Sequence, residues 1–221
     1  MENTAKQYQE ETISAVCTAL GEGAIGIIRI SGENALAAGE AIFKAASGRK
    51  LADYPVNTLV YGYVYDTDGS MVDEVMAVYM RGPHSYTAED VVEIQCHGGV
   101  RSLQKILSLS YAAGARPAEP GEFTKRAFLN GRIDLVQAEA VMDIIKSRSD
   151  AALKVAVRQQ EGQLSSEVRG LREELFDVIV NLEAVIDYPE DDIEEMTFAS
   201  VLDSVNKTAE GVNKLLANAH T

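Results

Sequence analysis

The chain has 221 residues, 46% hydrophobic and 24% charged, which excludes a disordered, collagenous or membrane-embedded protein and allows a sizeable buried core. Twenty Lys and Arg against 34 Asp and Glu give a formal charge of −14, which argues against a dedicated binder of phosphate backbones. The imbalance is uneven: residues 1–150 hold 14 basic and 20 acidic side chains, a net of −6, and residues 151–221 hold 6 and 14, a net of −8. Two units are expected. Cys17 and Cys96 are the only cysteines, too few for a disulfide framework, so a reducing cytoplasm is the expected setting. Met1 to Gln9 lacks the apolar centre of a signal peptide, and no apolar run approaches the roughly 18 residues of a membrane span.

Taken in order, residues Thr12 to about Pro120 read as short strands mixed with short helices. Ala24 to Ser31 is a β-branched run, and the Ala-rich stretch Asn34 to Ala46 is expected to be a helix stopped by Gly48. Thr58 to Asp66 and Asp73 to Arg81 flank Asp68-Gly69, a turn signal that predicts an antiparallel hairpin. Val91 to Cys96 is a further strand, with Val92, Ile94 and Cys96 on the core face and Glu93 on the other, followed by a helix from about Val100 to Ala113. After Pro120 the pattern turns helical. Val168, Leu171, Leu175, Val178, Leu182 and Val185 form a seam at spacings of three and four, repeated by Val201, Val205, Thr208, Val212, Leu215 and Ala219 beyond the acidic break Asp187 to Glu195. Two such helices, packed antiparallel, make an incomplete bundle. The chain is therefore expected to be part of a longer protein or to complete its bundle by oligomerising. The fold class is an α+β N-terminal domain, residues 1–119, with a mixed or antiparallel sheet, followed by an all-α partial bundle, residues 120–221.

Gly21 to Gly26 matches the letters of a dinucleotide fingerprint but opens into a strand rather than a helix, so it reads as a loop. No Gly-Lys dipeptide occurs, so there is no P-loop and this chain alone is not expected to hydrolyse a nucleoside triphosphate. Arg29 interrupts an apolar strand and must reach water, a carboxylate or an anion. Residues 101–132 hold six basic side chains, Arg101, Lys105, Arg116, Lys125, Arg126 and Arg132, against Glu119 and Glu122, a locally positive stretch that is either a charged helix surface or a contact to RNA. His84, His97 and His220 are too scattered for a metal site, and no Ser/His/Asp or Cys/His spacing points to a catalytic nucleophile.

Several ordered strings, Gly26 to Gly32, Gly82 to Glu93, His97-Gly98-Gly99, Pro120 to Asn130 and Asp134 to Ala140, together resemble the TrmE/MnmE family of tRNA modification GTPases. The likeness runs from Thr12 through Asp187-Tyr188-Pro189-Glu190. It implies an N-terminal domain similar to the folate-binding part of aminomethyltransferases, homodimerisation, and modification of the wobble uridine of certain tRNAs with the flavoprotein MnmG/GidA. A one-carbon tetrahydrofolate (5-formyl or 5,10-methylene) is the implied cofactor, while GTP, potassium and magnesium belong to a GTPase domain that this stretch lacks. The folate contacts carried over are Arg29, Glu93 and Arg132, the last at a position where the family more often has lysine. Chemically, a carboxylate such as Glu93 can accept from adjacent pterin N–H donors, and an anionic glutamyl tail calls for cations such as Arg29 and Arg132. The alternatives are a stand-alone folate-dependent aminomethyltransferase and a purely structural dimerisation module.

Overall fold

The computed structural model describes residues 11–19, 21–187 and 198–218. The acidic stretch 188–195, the Tyr188-Pro189-Glu190 string and Ala219 lie outside them. Two compact units are present, Met1–Ile133 and Asp134–Thr221. The boundary expected at 119/120 thus precedes the observed division. The composition does turn helical there, but the first helix after it, α3 (Glu122–Leu129), belongs to the first unit: Arg126 is buried against Glu89, and Asn130 Nδ2 donates to the Thr87 carbonyl at 2.7 Å.

The first unit is built on a seven-stranded mixed sheet: β1 (Ile13–Val16), β2 (Gly23–Ser31), β3 (Phe43–Ala45), β4 (Val60–Tyr65), β5 (Met71–Met80), β6 (Val91–Gly98) and β7 (Arg116–Pro117), in the order β3-β4-β5-β6-β2-β1-β7. All neighbours pair antiparallel except β1 and β7. Helices α1 (Ala35–Ile42) and α2 (Val100–Ala112) pack on one face, where Ile28, Ile30, Val92, Ile94, Leu103 and Ile106 are fully buried. Period-2 alternation then sends Arg29 and Glu93 to the opposite face. The hairpin forms as expected, β4 against β5 around Asp68-Gly69.

The helix expected over Asn34 to Ala46 ends early. Ile42 closes α1, and Phe43–Ala45 is an edge strand paired with β4. Phe43 and Ala45 are buried and Lys44 exposed, a strand alternation hidden in an Ala-rich run, and the Phe43 ring lies over Gly62, where an added Cβ would meet it at 2.6 Å. Gly26, the last glycine of the false fingerprint, sits within β2 because Leu103 of α2 packs on it; an added Cβ would fall 2.5 Å from the Leu103 Cδ2.

The second unit is helical in its described residues: α4 (Leu135–Lys146), α5 (Asp150–Gln160), α6 (Gln163–Asp187) and α7 (Phe198–Asn218). Asp134 caps α4 in a reciprocal box with Gln137, and Ser149 caps α5 through the amide of Ala152. Gly162, in the left-handed conformation, precedes α6, whereas Gly170 lies inside it and breaks nothing. The seam expected on α6 meets α7 antiparallel. Leu171 packs on Gly211, and Lys207 Nζ bonds Glu174 at 3.1 Å, so rising numbers on one helix meet falling numbers on the other.

Candidate functional site

The site is assembled by strand register and completed by two loops. β2 and β6 pair so that Arg29 stands directly opposite Glu93. The Arg29 Nε and Nη2 both reach Glu93 Oε1, at 2.7 and 2.6 Å. Both side chains are partly exposed, 21% and 15%. An ion pair of this kind holds its geometry because two donors of one planar group converge on one oxygen.

Two rings enclose the guanidinium. Its central carbon lies 5.0 Å from the centre of the Tyr86 ring and 5.3 Å from that of Phe123, within the range of a cation–π contact. The Arg132 guanidinium approaches the same Tyr86 ring at 5.2 Å. Of the three residues singled out in the sequence, Arg29 and Arg132 therefore meet at Tyr86, and Glu93 joins them through its ion pair with Arg29. That ring is anchored by its hydroxyl, 2.8 Å from Thr124 Oγ1 on α3. Arg29 is committed to Glu93 and only partly exposed, whereas Arg132 is exposed.

The scaffold beneath is a chain of matched charges that the sequence did not disclose. Ser31 Oγ, at the end of β2, donates to Glu89 at 2.8 Å and lies 2.7 Å from Thr87 Oγ1. Arg126, 2% exposed, bridges Glu89 and Glu122, and Arg116 makes two further bonds to Glu122, at 2.9 and 2.6 Å. Burial raises the Glu122 carboxyl, but the bonds from Arg116, the Glu119 amide and Arg126 outweigh it and hold the group down to about 2. This network ties the 82–90 loop and α3 to the sheet and so carries Tyr86 and Phe123 to Arg29. The residues concerned lie in the strings Gly82 to Glu93 and Pro120 to Asn130, but loops and helix starts carry no periodicity that would reveal a shared site.

Ion pairs of this kind occupy three of the six basic side chains of the stretch 101–132, while Arg101, Lys125 and Arg132 are exposed. Lys105 is bonded to Asp66 at 2.6 Å, Arg116 to Glu122 and Glu11, and Arg126 is buried. No patch of free cations is offered by those three.

A second polar cluster lies at the far end of β6. Asp73 Oδ1 is 2.6 Å from His97 Nδ1, while its Oδ2 accepts from the His97 amide at 3.0 Å and Ser102 Oγ at 2.6 Å. The bond to Asp73 raises the His97 pKa. Ser102 bonds the carboxylate and not the imidazole, so no hydroxyl is activated in the manner of a hydrolase. Cys96 is buried and its thiol is pushed up to about 11 by that burial, which leaves it protonated and inert at neutral pH. Beside His97 lies a cavity of 240 Å³ lined by Ile25, Tyr61, Met76, Gln95 and His97 among others. Among the described residues no group of three or more His, Cys, Asp or Glu side chains could hold a metal, and no helix is long and apolar enough to cross a membrane.

Comparison with known proteins places both units. Residues 12–132 match the family model of the GTP-binding protein TrmE N-terminus, and residues 135–221 match the MnmE helical domain. Among the similar relatives, the tRNA modification GTPase MnmE of Clostridioides difficile (strain 630) is 50% identical, over 97% of this chain and 46% of its own length. Those of Geobacillus kaustophilus (strain HTA426) and Shouchella clausii (strain KSM-K16) are 49% and 50% identical over 95% of this chain, covering 46% and 45% of their own lengths. The chain thus spans about half the length of the curated relatives it matches.

Proposed function

The chain belongs to the TrmE/MnmE family of tRNA modification GTPases, and from that premise we propose that it is the folate-binding, dimerising region of such an enzyme. In this reading a one-carbon tetrahydrofolate docks at Arg29, Glu93 and Arg132, and the assembled protein acts with MnmG/GidA on the wobble uridine of tRNA in the cytoplasm. Hydrolysis of GTP, with its potassium and magnesium, is the work of a separate domain, in keeping with the lack of any Gly-Lys dipeptide here.

The observation that carries the reading is that Arg29 and Arg132 meet at one anchored aromatic ring with Glu93 paired to Arg29. These groups fit a reduced pterin. Glu93 Oε2 makes no bond among the described residues and can accept from ring N–H groups, and Tyr86 and Phe123 supply apolar walls. Because Arg29 is held at Glu93, it belongs to the ring end of the ligand, and the cation for the anionic tail is Arg132. When bound, the folate supplies the one-carbon unit, so the chain's own task is placement and not nucleophilic attack.

Calorimetric titration with 5-formyltetrahydrofolate tests this. Binding is expected, and Glu93→Ala should weaken it at least about tenfold, as loss of a charged hydrogen-bond partner does. Unchanged affinity in that variant would reject the site, and a folded protein that gives no heat would favour a purely structural module. Light scattering should return about twice the 23.9 kDa chain mass; a monomer at micromolar concentration would reject the dimer.

A further inference from the structure

At the β3 edge of the sheet the chain leaves Phe43–Ala45 and turns through Ser47, Gly48, Arg49 and Lys50. Gly48, in the left-handed conformation, donates its amide to the Ala45 carbonyl at 2.9 Å and so folds the two cations that follow it back toward Lys44. The three basic side chains share one cavity of 170 Å³, lined by Glu40, Phe43, Lys44, Arg49, Lys50 and Leu51 among others. Unlike Lys105, Arg116 and Arg126, none of them is paired with a carboxylate among the described residues. Glu40 and Asp53 accept instead from backbone amides, those of Ala52 at 2.9 Å and Lys50 at 3.1 Å. Arg49 is held in place: Nη2 donates to the Asp53 carbonyl at 2.5 Å, and its central carbon lies 4.6 Å from the centre of the Tyr54 ring, whose hydroxyl bonds Ser47. Its Nε and Nη1 make no bond among the described residues, and Lys44 Nζ reaches only the Glu40 carbonyl, at 3.4 Å.

We propose that this corner is a contact for the backbone phosphates of RNA, by which the chain holds its tRNA without reading its bases. The proposal rests on the reading of tRNA as substrate given above and adds the surface that meets it. A planar fork fixed by an aromatic ring, flanked by two point charges, suits phosphate oxygens, each of which can accept several bonds. The apolar members of the lining, Phe43, Ala45 and Leu51, are buried, so a partner meets only polar and charged groups. A protein interface is centred on apolar or aromatic anchors and is poor in lysine, whereas contacts to a nucleic-acid backbone need no such anchor. The formal charge of −14 confines the contact to a small footprint and makes it weak and sensitive to salt.

Fluorescence anisotropy of this chain with an unmodified tRNA transcript, between about 50 and 200 mM salt, tests the idea. The logarithm of affinity should fall against that of salt with a slope of about −2 to −3, the value for three cations on RNA phosphates. Replacing Lys44, Arg49 and Lys50 together by glutamine should weaken binding at least about tenfold at the lower salt and flatten the slope toward zero. Arg101→Gln, which removes an exposed cation at the start of α2, should change affinity less than about twofold. Circular dichroism establishes that the triple variant is folded; should it not be, Lys50→Gln alone decides, with an expected loss of about one unit of slope. Unchanged affinity in these variants, or an equal loss in Arg101→Gln, would overturn the surface and leave tRNA standing as the substrate. Absence of binding by the unaltered chain would also overturn it, the tRNA then being held by other parts of the enzyme. Polyglutamate competing as well as unlabelled tRNA would overturn RNA as the occupant and assign the corner to an acidic protein.

Discussion

Residues 1–133 carry 12 basic and 16 acidic side chains, a net of −4, whereas residues 134–221 carry 8 and 18, a net of −10. The first unit draws its charges inward: Arg126 and Glu122 are 2% and 3% exposed and joined through Glu89 and Arg116. The second leaves apolar side chains outside, with Phe176, Ile179, Ile186 and Phe198 all more than half exposed. Burying charge is costly unless every group is answered, so the first unit has invested its polar pairs in fixing the position of two loops. The second has satisfied only one seam of a longer surface. A binding site needs the former arrangement, because a ligand is recognised by groups that cannot relax away from it.

The sharpest way to break this contrast is Arg126→Met. It takes from Glu89 its arginine partner and from Glu122 one of two, Arg116 remaining on the latter, and loss of one partner of a buried pair costs about 3–5 kcal/mol. Denaturant unfolding should show the first unit destabilised by that amount, with near-ultraviolet signals of Tyr86 altered and the helical signal of the second unit retained. A loss below about 1 kcal/mol would mean that the network positions nothing.

Acid offers a second probe of the same network. The Glu122 carboxyl titrates at about 2 in the folded unit, below its ordinary value. A depressed pKa contributes stability that is fully present above the unfolded value, near 4.5, and is lost as pH falls through the folded one. The contribution at neutral pH is on the order of 3 kcal/mol, taken from the difference between those two values. Stability measured from pH 5 down to pH 2 should therefore decline in the native protein, and much less steeply in Glu122→Gln. Parallel slopes in the two would place the acid sensitivity elsewhere.

How far the sequence discloses the molecule differs between the units for physical reasons. Strands β2, β5 and β6 are legible because each is long enough for alternation to show, and the hairpin because Asp68-Gly69 demands its turn. β3 is hidden, since three residues of an Ala-rich run cannot display a period. Arg29 and Glu93 stand out as charges on strands, but their mutual contact is a matter of register between segments more than 60 positions apart, which no local pattern contains. Tyr86, Phe123 and Thr124 are silent for a related reason: their role arises only when the 82–90 loop and the start of α3 are brought together by Arg126. The positive stretch 101–132 is legible only in part, because a sum of charges along the chain cannot register that Lys105, Arg116 and Arg126 each face a carboxylate while Arg101, Lys125 and Arg132 are exposed.

The smallest expected effect tests the second half of the contrast. On α6 the seam toward α7 contains Leu171 and Val178, and Val178 is only 7% exposed. Phe176, Ile179 and Ile186 form a different stripe, rotated away from that seam, and are 56%, 51% and 74% exposed. A side chain already in water loses little when made polar, so replacing each of the three by glutamine should alter the stability of this chain by less than about 0.5 kcal/mol. Val178→Gln, by contrast, removes a buried contact and should cost several times more, in the range of about 2–4 kcal/mol. Thermal unfolding followed by circular dichroism at 222 nm reads both. If the stripe variants lose as much as Val178→Gln, then those side chains are buried in solution, and the difference drawn between an inwardly matched unit and an outwardly unsatisfied one fails at the point where it is easiest to measure.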